Sequence, residues 1–92
     1  MIVRIMGEGQ FRIGGVVLDD LNDLDNKVVE TVENDDATEF RQAFDQMLGL
    51  VRKKSTPLSV DELVESDMIL PSEDTTLEEA KALFTGEGLI KG

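Results

Sequence analysis

Apolar and polar residues alternate at the start of the chain, and then the period changes. Across residues 1–6 and 10–13, Val3, Ile5, Phe11 and Ile13 recur at every second position with Arg4, Met6, Gln10 and Arg12 between them. A period of two marks strands with one buried face. Gly7-Glu8-Gly9 separates the two runs and has the length and glycine content of a three-residue hairpin loop. A hairpin closed there sets Met6 opposite Gln10, Ile5 opposite Phe11, Arg4 opposite Arg12 and Val3 opposite Ile13. The predicted core face is Val3, Ile5, Phe11 and Ile13. The predicted outer face is Arg4, Met6, Gln10 and Arg12, with two like charges directly opposed, an arrangement unfavourable by up to about 1 kcal/mol.

Beyond Gly14-Gly15 the apolar period lengthens to that of a helix. Leu18, Leu21, Leu24, Val28, Val29 and Val32 fall on one stripe, and Asp19 or Asp20 offers an N-cap. Asn34-Asp35-Asp36 breaks this helix. A second stripe follows in Ala37, Phe40, Phe44, Met47, Leu48 and Val51, opened by Asp36 and Glu39 in capping-box spacing and closed by Arg52-Lys53-Lys54, the sign a helix C-terminus prefers. A link of three residues makes the two helices antiparallel. Gly49 lies inside the second helix at a cost of about 1 kcal/mol relative to alanine, which predicts a neighbouring backbone close against it.

The pattern weakens after Pro57. Ser59 and Glu62 have the spacing of a capped helical turn, and Met68-Ile69-Leu70 reads as a third strand or an extended segment that Pro71 ends. Thr76 and Glu79 form another capping box, opening a short helix through Phe84 with Leu77, Ala80, Leu83 and Phe84 inward and Gly86 as its stop. Residues 86–92 are expected to be loosely held, pinned at most by Leu89 and Ile90. The expected fold is α+β: an N-terminal β-hairpin, extended to three strands if Met68–Leu70 joins it, packed on an antiparallel helical hairpin with a short C-terminal helix. At 92 residues the chain is long enough for one domain.

Charge narrows the choice of partners. Acids outnumber bases 20 to 9, for a net charge of −11, so nucleic-acid backbones and anionic lipid surfaces are disfavoured. A high-salt interior would favour the same composition. The excess is uneven: residues 19 to 45 hold ten acids against two bases, and residues 61 to 79 hold eight against none. No apolar run approaches the roughly 18 residues that span a bilayer, so direct membrane insertion is not expected and the expected location is cytoplasmic. Cysteine and histidine are both absent, as are tyrosine and tryptophan. That removes disulfides, the commonest metal ligands and the usual acid/base groups near neutral pH.

The remaining motifs fail on their parts. Gly7 and Gly9 begin a dinucleotide fingerprint, but Arg12 occupies the third glycine position and a strand follows where a helix should. An EF-hand loop begun at Asp20 has Leu24 at its fifth position, Asp25 at its sixth and Thr31 at its twelfth. Asp67 and Asp74 could be paired for acid/base work, yet both fit better as turn and cap residues. No enzyme, cofactor or metal site is expected. The Arg4/Arg12 pair is the unusual feature, and it needs carboxylates nearby: Glu65 or Asp67 from within the chain, or an acidic helix or peptide docked on Arg4, Met6, Gln10 and Arg12. An open hairpin edge also offers a route to a homodimer.

The opening MIVRIMGEGQFRI, the acidic two-helix middle, TPLSVDELVESDMILPSEDTTLEE and the GEGLI tail together resemble the PspA-associated family, PspAA. The resemblance spans nearly the whole chain, and it rests on the order and spacing of these pieces. It implies a non-catalytic adaptor or regulator that associates with a PspA-like coiled-coil protein of the phage-shock membrane-stress system, and reaches the membrane surface through that partner. The alternative from a different class is a small-ligand or divalent-ion sensor using surface carboxylates.

Overall fold

Burial of the two helical stripes against one face of a small sheet organises the protein. The computed structural model describes residues 1–59, 61 and 64–83. Strands β1 (Ile2–Ile5) and β2 (Gly9–Arg12) form the hairpin, followed by helices α1 (Gly15–Glu33) and α2 (Ala37–Lys54). A two-residue strand β3 (Thr56–Pro57), strand β4 (Met68–Leu70) and helix α3 (Leu77–Leu83) complete the order. The sheet runs β3-β2-β1-β4, with β1 antiparallel to β2, β2 antiparallel to β3, and β4 parallel to β1. The α+β expectation holds. The strand expected at Met68 is present, and β3 adds a fourth that its exposed two residues did not signal.

Val3, Ile5, Ile13, Met68 and Leu70 from the sheet side meet Leu21, Val28, Phe40, Phe44, Met47, Leu48 and Val51 from the helices, and Ala80 of α3 closes the cluster. Phe40 and Phe44 stack with ring centroids 5.4 Å apart. Both helices carry their apolar side chains at the spacing the sequence predicts, except that Ala37, at the start of α2, is exposed. Thr31 is buried on α1 with its hydroxyl donating to the Val28 carbonyl at 2.7 Å, and Asp25 is buried there too and engaged within the chain.

The turn between the helices follows local chemistry. Asp35 adopts φ 55°, and the amides of Asn34, Asp35 and Asp36 bond back to carbonyls of the last turn of α1. Aspartate tolerates that left-handed position better than most residues. The Asp36 side chain then accepts from the Glu39 amide at 3.1 Å to cap α2. At α3 the expected capping box is complete: Thr76 Oγ1 accepts from the Glu79 amide at 3.3 Å, and Glu79 Oε1 accepts from the Thr76 amide at 3.1 Å. Leu77 is half-buried and Ala80 buried as expected. Phe84, the Gly86 stop, the tail with Leu89 and Ile90, and the Glu62 end of the Ser59 motif lie outside the described residues.

Four expectations are corrected. Helix α1 starts at Gly15 with Gly14 as an N-cap that makes no side-chain bond, so Asp19 and Asp20 sit in the second turn and are exposed. Val17 and Leu18 explain this, since their apolar contact with the core draws the helix one turn further back than the Asp-Asp signal. The hairpin loop is Met6-Gly7-Glu8, with Gly9 in the strand opposite Ile5. Among the described residues nothing beyond its own helix lies within 4 Å of where a Gly49 Cβ would stand, so no described neighbouring backbone approaches it. Finally, the hairpin edges are not left open: β4 lies along β1, and the two-residue β3 lies along β2 at Phe11 and Arg12.

Candidate functional site

The outer face of the sheet is set by the hairpin turn. The Glu8 amide donates to the Ile5 carbonyl at 2.9 Å, and Gly7 has φ 87°, the positive value a type II turn requires at its third residue. This turn shifts the register by two residues from the one the glycines suggest. The Met6 amide donates to Leu70 of β4 at 3.0 Å, which commits that residue to the parallel partner and places it in the turn. Glu8 is meanwhile drawn onto α2. The observed pairs are Ile2 with Arg12, Val3 with Phe11, Arg4 with Gln10 and Ile5 with Gly9.

A shift of two residues keeps every side chain on its predicted face, whereas a shift of one would have inverted them. Arg4 and Gln10 are therefore brought together, but Arg4 and Arg12 are diagonal neighbours and not opposed. Diagonal positions lie about 7 to 8 Å apart, which relieves much of the repulsion expected from a direct pair. Arg4 is opposite Ile69 on its other side. Arg4 has no hydrogen-bond or ion-pair partner among the described residues, while Arg12 is engaged within the chain. Asp67, one of the two carboxylates expected beside the arginines, accepts from the Ile2 amide through Oδ2 at 2.7 Å, and Asp74 Oδ1 accepts from the Ser72 hydroxyl at 2.6 Å.

Gln10 has a structural task. Its Nε2 donates to the Val64 carbonyl at 2.8 Å and to Ser66 Oγ at 2.9 Å, and so ties the segment joining β3 to β4 across the outer face of β2. Exposed there are Ile69, 54% exposed and paired with Arg4, together with Arg12 and, beside Gln10, Val64, while Met6 at the turn is 50% exposed. Ile69 was not singled out from the sequence. Met68, Ile69 and Leu70 are all apolar, so no alternation in the sequence marks it; the structure buries Met68 and Leu70 and leaves Ile69 outward.

The tip of the hairpin is fixed by arginine. Arg52 Nε donates to Glu8 Oε1 at 2.7 Å and its Nη2 pairs with Glu8 Oε2, while Nη2 also reaches Glu73 Oε2 at 3.0 Å. Hydrogen bonding by Arg52 holds the Glu8 carboxyl below its ordinary range against an opposing effect of burial, with Coulomb attraction to the same guanidinium adding to the shift. The Arg52 guanidinium is raised in turn. Three helical turns earlier, on the same side of α2, Arg41 donates to the Glu73 carbonyl at 2.9 Å and the Thr75 carbonyl at 3.3 Å, and lies 5.3 Å from the centroid of the Phe44 ring. Two arginines of α2 thus position the loop between β4 and α3, and one of them positions the hairpin. No local sequence signal reveals Glu8 as the partner of Arg52, because 44 residues separate them.

The arrangement offers a recognition surface. Among the described residues no three acidic side chains converge to hold a metal ion, and no helix is long and apolar enough to cross a membrane. No curated protein and no solved structure matches the chain. The model of one family, described as PspA-Associated protein, matches residues 1–92, and the chain therefore belongs to the PspAA family.

Proposed function

We propose that the protein is a non-catalytic accessory that binds a PspA-like coiled-coil partner on the outer face of its sheet. Arg4, Met6, Gln10 and Arg12 form the contact together with Ile69. The observation that carries this reading is the exposed Ile69 set opposite Arg4, which has no partner among the described residues of a chain whose net charge is −11, with a second exposed apolar side chain, Met6, two residues along the chain from Arg4. Coiled-coil helices present carboxylates beside their apolar seam. An arginine fork pairs with such carboxylates, and methionine adapts to an irregular apolar surface. Gln10 contributes by holding the Val64 carbonyl and Ser66 in place at the margin of the contact. In this reading the protein is cytoplasmic and reaches the membrane surface only through its partner. The family name supports the partner, since it describes association with PspA. The divalent-ion sensor gains no support, as no carboxylate cluster is present among the described residues.

The test is titration calorimetry of the protein with its PspA homologue. Arg4→Glu combined with Ile69→Asp should weaken binding by tenfold or more while thermal denaturation shows the fold retained. Binding equal to wild type from that variant removes the outer face as the dock, and no binding by wild type removes the reading itself.

A further inference from the structure

On the helical pair, Leu24 of α1 and Asp45, Gln46, Gly49, Leu50, Lys53 and Lys54 of α2 line an open groove of about 400 Å³. It shares no residue with the outer face of the sheet. Gly49 forms its notch: the space over the glycine is empty to 4 Å, so a residue that weakens the helix is kept where nothing in the described protein needs it. Leu24 and Leu50 are only half-buried on the core. The rim is charged in a particular order. Asp45, Gly49 and Lys53 fall at intervals of four and so lie in one row along the helix.

We infer that this groove is a self-association surface, closed by the same groove of a second copy with the two α2 helices antiparallel and crossing at Gly49. The charge row is self-complementary under a two-fold axis at that glycine. Asp45 of each copy then faces Lys53 of the other, as an isologous contact requires. The groups are available for it. Lys53 has no ion-pair partner among the described residues. Both Arg41 bonds to Asp45 go to Oδ1, so Oδ2 can take the ammonium. A glycine at the crossing lets two helix axes come to the lower end of their usual separation of about 8 to 10 Å. Leu24 and Leu50 would be covered in the same step. The net charge of −11 opposes self-association at long range, but at physiological ionic strength repulsion is screened beyond about 8 Å. Contact-range pairs then decide the register.

Sedimentation velocity on the full chain over a concentration series tests this. The wild type should show a monomer–dimer equilibrium. Gly49→Leu should abolish the dimer while leaving the monomer folded and at least as stable to heat, because the side chain enters empty space and favours the helix. Asp45→Lys and Lys53→Asp should each weaken the dimer about tenfold or more by placing like charges in contact, and the double exchange Asp45→Lys/Lys53→Asp should restore it. A wild type that stays monomeric to about 1 mM, the weak limit of specific association, overturns the inference. So does a dimer indifferent to Gly49→Leu, or single charge variants that the double exchange does not rescue, a result that would assign the groove to a different partner.

Discussion

Removal of the Arg52 guanidinium should detach the tip of the hairpin from α2, and its cost can be worked from the contacts. Arg52 and Glu8 are about one third exposed, at 35% and 30% of their side-chain surface, and meet in a two-point fork; Glu73 is 71% exposed and meets Arg52 at one point. Solvent-exposed pairs contribute about 0.2 to 1 kcal/mol. The fork belongs near the upper end of that range and the Glu73 contact near the lower. Loss of contacts made by the arginine stem adds a few tenths more, so Arg52→Ala should cost about 1 to 1.5 kcal/mol. For a chain of this size that corresponds to a fall in Tm of roughly 5 to 10 °C. Thermal unfolding followed by circular dichroism measures it, and a double-mutant cycle with Glu8→Gln isolates the pair, with an expected coupling of about 0.5 to 1 kcal/mol. The pH dependence supplies a second reading. The carboxyl of Glu8 is held lower in the folded protein than its ordinary 4.5. Its contribution is therefore complete above the unfolded value and disappears as pH falls through the folded one. Wild type and Glu8→Gln should differ at pH 6 and converge as the solution is acidified below about 4.5. Zero coupling in the cycle, or a difference between the two proteins that does not change on acidification, would refute the clamp.

Other sites give independent outcomes. Gly7→Ala should destabilise the hairpin by about 1 kcal/mol, because alanine must adopt φ 87° at the turn; chemical denaturation reads the loss. Phe44→Ala removes a fully buried ring that stacks on Phe40 and lies beside Arg41, at a cost of about 3 to 5 kcal/mol, a large part of the stability of a small domain. Denaturant unfolding should show its midpoint falling sharply. Thr76→Ala removes the capping hydroxyl of α3, seven residues of which are described, and should cost about 1 kcal/mol, seen as faster amide hydrogen exchange in α3 than in the wild type.

The sequence by itself determined what local chemistry controls. Alternation in the first 13 residues assigned Val3, Ile5 and Ile13 to the core and Arg4, Met6 and Arg12 to the outer face. The 3.6-residue period identified both long helices and their buried sides, and the capping residues Asp36 and Thr76 marked two helix starts. Each signal acts over a few residues, so it survives whatever the rest of the chain does. The tertiary structure decided the rest. The hairpin register follows from the parallel strand β4, which takes the Met6 amide, and from Arg52, which takes Glu8. Both partners lie far away in the chain, and no turn rule could anticipate them. The same distance hid Ile69 as the neighbour of Arg4. Glycine shows the limit most plainly: Gly7 was legible as a turn residue because its positive φ is a local need, whereas Gly49 sits in an ordinary helix, and only the packing around it shows that the space above it is open.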